Sequence, residues 1–296
     1  MENLISLQDL QKEDFERIFE LTAKLKNKNK DILHGKTIAM LFEKPSTRTR
    51  ISFEVATYQL GGHAIYMTPK ETQIGRGETI ADTARVLSRY VDGIVARVFA
   101  HNTLLELAKY SAVPVINALS DYNHPVQIIA DIYTLIEKNI DLETAKIVWV
   151  GDGNNVCNSW INAAAKLNLQ LIVSTPKDYK PDNGTFNRAR AQNKQIQYEE
   201  DPYKAVRGAD VIITDTWVSM GEEKEAKERE RIFKRYQVNK ELVGLANENY
   251  VFMHCLPAHR GQEVTNDIID SDHSIVFDEA ENRLHTEKAI LTMLLG

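Results

Sequence analysis

Apolar and polar positions along the chain follow two alternating patterns. Short apolar runs, typical of buried strands, are separated by longer segments in which apolar residues recur at helical spacing. The apolar runs predict strands at 37–42, 61–67, 93–99, 113–118, 146–150, 169–174, 211–215 and 251–253. The amphipathic segments predict helices over 5–30, 51–60, 82–90, 102–110, 128–137, 158–167 and 286–295, with a further loop and helix within 178–195.

This alternation of strands and helices predicts an α/β fold in which parallel sheets carry helices on both faces. The second half of the chain repeats the layout of the first, and a length of 296 residues suggests two domains. We expect the first domain at 1–140 and the second at 141–283, with a hinge at 138–143. The C-terminal helix, 284–296, is expected to pack back on the first domain.

Composition narrows the class of protein. The chain is 43% hydrophobic and 26% charged, with a net charge of -6 and a pI of about 5.8. This balance is typical of globular proteins and disfavours general nucleic-acid binding. Only Cys157 and Cys255 occur, so we expect no disulfide framework and a reducing, cytoplasmic location. The N-terminal residues lack the pattern of a signal or transit peptide. No apolar run approaches the roughly 20 residues that cross a membrane.

The segment 46–50, Ser-Thr-Arg-Thr-Arg, carries a dense cluster of anion-binding groups. It follows a predicted strand and precedes a predicted helix, so three hydroxyls and two guanidinium groups lie at a helix N-terminus. Unpaired N–H groups and the helix dipole favour anions there, and the forks of Arg48 and Arg50 suit phosphate oxygens. A serine N-cap with surface arginines is the alternative, but the number of donors and their context favour a phosphate site.

A second group of polar residues follows neighbouring strands. His124 and Gln127 open the helix at 128–137 and lie one helical turn apart, so both can donate to one carbonyl. A structural histidine at a helix start is the alternative. Because ligand-binding groups gather at the carboxyl ends of strands in α/β sheets, Arg48, Arg97 and His124 are expected to converge on one crevice.

The turn 151–155, Gly-Asp-Gly-Asn-Asn, follows a strand in the manner of a dinucleotide-binding loop. Val156 occupies the position at which that fingerprint requires a third glycine, which disfavours a nicotinamide site. Asn154 and Asn155 instead offer neutral groups that can hold the backbone of an amino acid.

His254 and Cys255 suggest a metal site or a nucleophilic cysteine as alternatives. No second Cys/His pair occurs at ligand spacing, which disfavours structural zinc. Adjacent residues at a strand end point to opposite sides, which argues against a catalytic pair of these two residues. The highly charged stretch 222–234 is interpreted as a solvated helix or loop.

Six spaced motifs together resemble the aspartate/ornithine carbamoyltransferase family. They are S-T-R-T-R at 46–50, H-P-V-Q at 124–127, D-G-N-N at 152–155, D-T-W-V-S-M-G at 215–221, H-C-L-P at 254–257 and E-N-R at 281–283. The first is similar to the family's carbamoyl-phosphate signature. The fourth and fifth resemble elements of its ornithine branch. The motifs cover nearly the whole chain.

The resemblance implies transfer of a carbamoyl group from carbamoyl phosphate to L-ornithine, which gives L-citrulline and phosphate and belongs to arginine metabolism. It also implies a homotrimer with sites at subunit interfaces, no metal and no organic cofactor. The residues that it assigns to carbamoyl phosphate are Ser46, Thr47, Arg48, Thr49, Gln73, Arg97, His124, Gln127, Cys255, Leu256 and Arg283. Those assigned to ornithine are Asn155, Asp215, Ser219 and Met220. Those expected to take part in catalysis are Arg97, His124, Gln127, Asp215, Cys255 and Arg283.

Individual roles follow from the same resemblance. Arg97 is expected to bridge the phosphate and carbonyl oxygens, and Asp215 to bind the α-ammonium of ornithine. Gln73 is expected in a loop offered to the site of a neighbouring subunit. A related transferase acting on another amine, such as putrescine, and a catalytically silent regulatory or scaffold homologue are the alternatives. Residues that recognise an α-carboxylate and α-amine favour ornithine, and the complete phosphate signature disfavours a silent protein.

Overall fold

The predicted strands form two separate parallel sheets in the computed structural model, which describes residues 1–70, 72–218 and 223–296. Each sheet belongs to its own unit. Unit 1 comprises Met1–Tyr133 and Glu281–Gly296, and unit 2 comprises Thr134–Ala280. The predicted fold class, α/β with two parallel sheets, is confirmed.

Unit 1 is built on a four-stranded sheet in the order β2-β1-β3-β4. Its strands, all parallel, are β1 Thr37–Phe42, β2 His63–Met67, β3 Gly93–Arg97 and β4 Val115–Leu119. Every residue of β3 and β4 is buried. This is the pattern of parallel strands that are covered on both faces, and it explains why both strands are largely apolar, with Arg97 and Asn117 as polar exceptions.

Helices precede, connect and follow the strands of unit 1. They are α1 Lys12–Leu25, α2 Thr47–Gln59, α3 Ile80–Leu87, α4 His101–Tyr110 and α5 Pro125–Glu137. The chain crosses the sheet in one direction from β1 to β2 and in the opposite direction from β2 to β4. Because such crossovers are right-handed, α2 lies on one face of the sheet and α3 and α4 lie on the other.

Unit 2 is built on a five-stranded parallel sheet in the order β7-β6-β5-β8-β9. Its strands are β5 Lys146–Val150, β6 Gln170–Ser174, β7 Ile196–Tyr198, β8 Val211–Thr214 and β9 Val251–His254. Its helices are α6 Asn155–Leu167, α7 Asn183–Gln192, α8 Pro202–Val206, α9 Ala226–Phe233, α10 Lys240–Val243 and α11 Asn266–Ile269. The chain again leaves the central strands in opposite directions, so helices cover both faces of this sheet as well.

The last helix, α12 Val276–Leu295, begins in unit 2 and continues into unit 1. In unit 1 the buried Lys288 ammonium donates to the carbonyls of Leu25 and Lys28 and to the side chain of Gln59. Lys288 thereby ties α12 to the C-terminal ends of α1 and α2. Neither α12, with its 20 residues, nor any other described helix is long and apolar enough to cross a membrane.

The predicted segments 5–30 and 222–234 differ from the structure. The single helix predicted over 5–30 is a short 3-10 helix, Leu7–Asp9, followed by α1. Ser6 caps the first helix, and at the start of the second the Asp14 carboxylate accepts a hydrogen bond from the Gln11 backbone N–H at 2.9 Å. The charged stretch 222–234 contains α9, which buries Phe233 and Arg229 among its otherwise charged residues. The segment was predicted to be a solvated helix or loop; it does contain a helix, but the burial of Arg229 and Phe233 differs from the solvated surroundings that were predicted.

Candidate active site

Both sheets reverse their strand order at one point, between β1 and β3 in unit 1 and between β5 and β8 in unit 2. Open α/β sheets bind ligands beyond the carboxyl ends of their strands at such points. In unit 1, Arg48 follows β1 and Arg97 ends β3; in unit 2, Asn155 follows β5 and Asp215 follows β8. The predicted phosphate-binding and ornithine-binding residues therefore occupy equivalent positions in the two sheets.

The segment 46–50 begins α2, as predicted. Ser46 is the N-cap, and its hydroxyl oxygen accepts a hydrogen bond from the Thr49 backbone N–H at 3.2 Å. The capping alternative is therefore correct for Ser46, and it is compatible with an anion site because the first turn of α2 contains no acidic residue. Thr49 is buried, Arg48 is half-buried and Thr47 is exposed.

Arg50 does not belong with these groups. Its guanidinium pairs with Glu54 at 2.9 Å, and it lies over the Tyr66 ring at 3.7 Å from the ring centre. These contacts use both the charge and the flat face of Arg50. Of the two arginines in the motif, Arg48 is therefore the stronger candidate for binding a phosphate.

Arg283 lies at the centre of a buried hydrogen-bond network in unit 1. Its Nη1 donates to Gln127 Oε1 at 2.6 Å, and its Nη2 donates to Thr49 Oγ1 at 3.2 Å and to Glu287 Oε1 at 2.8 Å. Gln127 Nε2 donates in turn to Asp131 Oδ1 at 2.8 Å. Three predicted site residues from three different helices are thus joined directly, and the orientation of the Gln127 amide is set by its two partners.

His124 is buried in unit 1 immediately before Pro125, which begins α5. Burial lowers the pKa of His124 well below its ordinary value, and the positive charges of Arg283, Arg97 and Arg48 lower it further. The imidazole is therefore neutral at physiological pH. A neutral imidazole among three guanidinium groups can donate a hydrogen bond to a carbonyl oxygen without adding another charge to the site.

Gln73 lies apart from this network of contacts. It belongs to the short 3-10 helix Gln73–Arg76, and its side chain is exposed. Two residues predicted to bind ornithine, Ser219 and Met220, lie outside the described residues. Leu256, which is predicted to bind carbamoyl phosphate, lies in unit 2 and adopts a left-handed backbone conformation with a φ of 54°. Such conformations are costly for a leucine and cluster at functional sites.

In unit 2 the carboxylate of Asp215 accepts three hydrogen bonds from the described part of the chain. Its Oδ2 accepts from Asn154 Nδ2 at 2.7 Å, and its Oδ1 accepts from the Thr216 N–H at 2.8 Å and from the Cys255 thiol at 3.2 Å. Asn154 is also the N-cap of α6, which fixes its side chain, and Asn155 is the first residue of that helix. A carboxylate can accept about four hydrogen bonds, so Asp215 can still accept a hydrogen bond from an ammonium group while these contacts fix its orientation.

Unit 2 also contains a buried arginine, Arg229. Arg229 Nη1 donates to Asp152 Oδ2 at 3.1 Å and to the carbonyl of Trp217 at 2.9 Å, and its Nε lies 3.3 Å from Glu225 Oε2. Its guanidinium also lies over the Tyr179 ring, 4.8 Å from the ring centre. Arg229 therefore connects the D-G-N-N turn with the chain on both sides of the segment 219–222.

Asp215, His254 and Cys255 place metal-ligand atoms within 4.8 Å of one another. The His254 ring is fully buried; its Nδ1 accepts from the Leu256 N–H at 2.9 Å, and its Nε2 lies 3.2 Å from Glu263 Oε1. This assigns the ring hydrogen to Nε2, which donates to Glu263. Hydrogen bonds within the protein thus account for both ring nitrogens.

Three residues of these hydrogen-bond networks lie outside the sequence motifs and were not predicted as site residues. Asp131 and Glu287 follow Gln127 and Arg283 by four residues on their helices, so the helical period would have placed each beside its partner. For Arg229 the helical period indicates only Glu225, an exposed partner four residues away, whereas its buried partner Asp152 is 77 positions away in sequence.

Two family models match the chain. The model described as the carbamoyl-P binding domain of aspartate/ornithine carbamoyltransferase matches residues 2–137, and the one described as its Asp/Orn binding domain matches residues 143–294. An ornithine carbamoyltransferase of Thermococcus kodakarensis is 53% identical to the chain, with 99% of this chain and 96% of that protein covered.

Solved structures agree with these matches. The ornithine carbamoyltransferase from Pyrococcus furiosus is 52% identical, with a TM-score of 0.96 over 99% of this chain and 97% of that one. An acetylornithine transcarbamylase complexed with acetylcitrulline is 33% identical, with a TM-score of 0.90 and complete coverage of both chains. The predicted phosphate-binding and ornithine-binding residues lie at equivalent positions of the two parallel sheets, in agreement with these matches. The matches show that the chain belongs to the aspartate/ornithine carbamoyltransferase family.

Proposed function

We propose that this chain transfers the carbamoyl group of carbamoyl phosphate to the side-chain amine of L-ornithine, which yields L-citrulline and phosphate. The observation that carries the proposal is the surrounding of His124, a buried neutral imidazole beside the guanidinium groups of Arg48, Arg97 and Arg283. Such a group of donors suits a phosphorylated carbonyl compound, in which negative charge lies on the phosphate and develops on the carbonyl oxygen.

Unit 1 is proposed to bind carbamoyl phosphate. Ser46, Thr47, Arg48 and Thr49 would hold the phosphate at the N-terminus of α2, where backbone N–H groups and the helix dipole assist. Arg97 would bridge the phosphate and the carbonyl oxygen. His124 and Gln127 would orient the carbamoyl group, with Arg283 held in place by its contact to Gln127.

The chemistry requires a neutral amine, because a protonated amine has no lone pair with which to attack the carbonyl carbon. The side-chain amine of ornithine resembles that of lysine and is mostly protonated at neutral pH. Several positive guanidinium groups near the reacting atoms would favour its neutral form. The same groups would stabilise the negative charge that develops on the carbonyl oxygen and on the leaving phosphate.

Unit 2 is proposed to bind ornithine. Asp215 is a natural partner for the α-ammonium group, and its orientation is supported by Asn154 and Cys255. Asn155 would donate to the α-carboxylate, and Ser219 and Met220 would complete the site. The contribution of Cys255 and Leu256 to carbamoyl-phosphate binding stays a prediction.

A citrulline assay with carbamoyl phosphate and one amine at a time tests the proposal. L-Ornithine should give a much larger kcat/KM than putrescine, which lacks the α-carboxylate, because a site built for a polar group rejects an analogue without it. N-acetyl-L-ornithine, which has no α-ammonium for Asp215, serves as the matched third amine. A larger kcat/KM for putrescine or N-acetyl-L-ornithine would refute the assignment to ornithine and leave carbamoyl transfer standing.

We further propose a cytoplasmic homotrimer in which Gln73 enters the site of a neighbouring subunit. The exposed position of Gln73 in a short 3-10 helix supports this. Arg48→Ala and Gln73→Ala chains, each nearly inactive alone, should then regain activity when refolded together, because some mixed sites receive both wild-type side chains. Mixtures with no more than the average activity of their parents would contradict a shared site.

A further inference from the structure

The buried contact between Arg283 and Glu287 has a further consequence for the reaction. Arg283 is 2% exposed and Glu287 is 0% exposed, and the two residues lie on the same side of α12, four positions apart. Neither residue can therefore be fully solvated, and each depends on the other and on nearby polar groups for its hydrogen bonds.

The orientation of the Arg283 guanidinium depends on its Nη atoms. Its Nε is buried and makes no hydrogen bond with the described residues. Nη1 is directed by Gln127, whereas Nη2 has two acceptors, the Glu287 carboxyl oxygen at 2.8 Å and the Thr49 hydroxyl at 3.2 Å. The shorter contact, to the carboxyl group, is the stronger of the two.

We propose that Glu287 is a positioning residue for carbamoyl transfer, whose Oε1 holds the Arg283 guanidinium in the plane from which it reaches Gln127 and Thr49. This inference rests on the proposed function, since it concerns the proposed carbamoyl-phosphate residues. Without that acceptor, Nη2 keeps only the longer contact to Thr49, and the guanidinium can rotate away from the substrate.

The surroundings of Glu287 are consistent with this role. Burial raises the pKa of Glu287 to about 7, although the positive charge of Arg283 on the same helix and the Ser52 hydroxyl of α2 both lower it. A carboxyl group that is half ionised near neutrality is a poor stabilising element for the fold. Its place beside Arg283 is better explained by what its oxygen does for that side chain.

The test compares substitutions that separate the acceptor oxygen from the charge. Glu287→Gln and Glu287→Met are both neutral, unbranched and of similar size, but only glutamine keeps an oxygen for Arg283 Nη2. We expect the KM for carbamoyl phosphate to be about tenfold or more higher in Glu287→Met than in Glu287→Gln, because losing one hydrogen bond to a charged group typically weakens an interaction by at least this factor. The KM for ornithine should differ by less than about twofold between them.

A second comparison keeps the charge. Glu287→Asp retains a carboxylate but shortens the side chain by one methylene, so its oxygen no longer reaches Nη2 from the same backbone position. Its KM for carbamoyl phosphate should rise relative to the wild type, and this comparison decides the matter if Glu287→Met fails to fold. Leu291→Ala, a cavity at a buried position on the same helix, is the control for lost stability alone. It should lower the melting temperature and leave the KM for carbamoyl phosphate unchanged.

Equal KM values for carbamoyl phosphate in the folded Gln and Met variants would overturn the proposal, as would a wild-type value in Glu287→Asp. A difference between the variants in melting temperature alone would also overturn it, because that is what a purely structural role produces. Absence of citrulline formation by the wild-type protein is a separate result, which would refute the proposed function itself.

Discussion

Arg229 allows a quantitative test of how unit 2 holds its ornithine residues. We consider the substitution Arg229→Met, which keeps an unbranched apolar chain and removes the guanidinium. The side chains of Arg229 and Asp152 are 8% and 9% exposed, so their ion pair is nearly inaccessible to solvent. The pair with Glu225 is different, because that carboxylate is 58% exposed.

The expected loss of stability follows from these exposures. Removing one partner of a buried ion pair costs about 3–5 kcal/mol, because the remaining charge stays buried without compensation. That figure already includes the desolvated Asp152, so the hydrogen bond to the Trp217 carbonyl is not added in full. The exposed pair with Glu225 adds roughly 0–1 kcal/mol. We therefore expect a loss of about 3–5 kcal/mol, or roughly 6–20 °C in Tm for a unit of this size.

Urea unfolding and thermal melts measure this loss, and Arg260→Met is the matched control. Arg260 also pairs with an aspartate of unit 2, Asp270, but both side chains are solvent-accessible, so its replacement should leave stability unchanged within error. Adding Asp152→Asn to Arg229→Met should restore about 1 kcal/mol or more, because it removes the stranded charge. The KM for ornithine should rise about tenfold in Arg229→Met, since Trp217 precedes the predicted ornithine residues, while the KM for carbamoyl phosphate should change little.

A loss of stability in Arg229→Met no greater than that in Arg260→Met would show that the buried ion pair does not stabilise unit 2. Further destabilisation of Arg229→Met by Asp152→Asn would also contradict this explanation, because Asp152 should be the unfavourable charge that remains after Arg229 is replaced. An equal rise in the KM of both substrates would show that Arg229 does not act on the ornithine residues specifically.

Three further predictions concern the two proposed sites and the pH dependence of stability. Arg48→Ala should lower the affinity for a phosphonate mimic of carbamoyl phosphate by about tenfold or more in isothermal titration, with an unchanged circular dichroism spectrum; unchanged affinity would exclude Arg48 from the phosphate site. Asp215→Asn should raise the KM for ornithine by about tenfold or more and leave the affinity for the mimic within about twofold, and an equal loss of both would contradict a role in ornithine binding. Because the pKa of Glu287 is raised from 4.5 to about 7 in the folded protein, its protonated form contributes stability at low pH that is lost as pH rises through 7. Wild-type protein should therefore lose roughly 2 kcal/mol more than Glu287→Gln between pH 5.5 and 8 in urea titrations, and identical pH slopes would refute this.

Much of the fold was predictable from sequence because central parallel strands are buried on both faces. β3 and β5 are continuous apolar runs with no competing pattern, and each is followed by the turn or polar residue that ends it. β7, Ile196–Tyr198, was not predicted, because it is a three-residue edge strand with a polar residue at its centre. Its position depends on pairing with β6, which local pattern does not encode.

The site was predictable where a motif ties function to one short segment, as with residues 46–50. The start of α12 was not, and the helix was predicted only from residue 286. The first turns of α12 bury Glu279, Asn282 and Arg283. Because these residues are polar, the sequence pattern predicts them to be solvent-exposed and shows no buried helix face there. Two of the hydrogen-bond partners of Arg283, Gln127 and Thr49, lie 156 and 234 positions away in sequence. Burial of a charged residue depends on such distant partners, which is why the charged segment around Arg229 was also interpreted as solvated.

The division of unit 1 into two stretches of chain has a consequence for biosynthesis. Every residue of unit 2, Thr134–Ala280, is synthesised before Arg283, whereas unit 1 needs Glu281–Gly296 to become complete. Unit 2 is a continuous segment and can fold as soon as it leaves the ribosome, since domains generally fold as units in order of synthesis. The first four strands must meanwhile wait for the contacts of Lys288 and for the hydrogen bonds of Arg283 to Gln127 and Thr49. Synthesis of the chain therefore completes unit 2 before it supplies the last residues of unit 1.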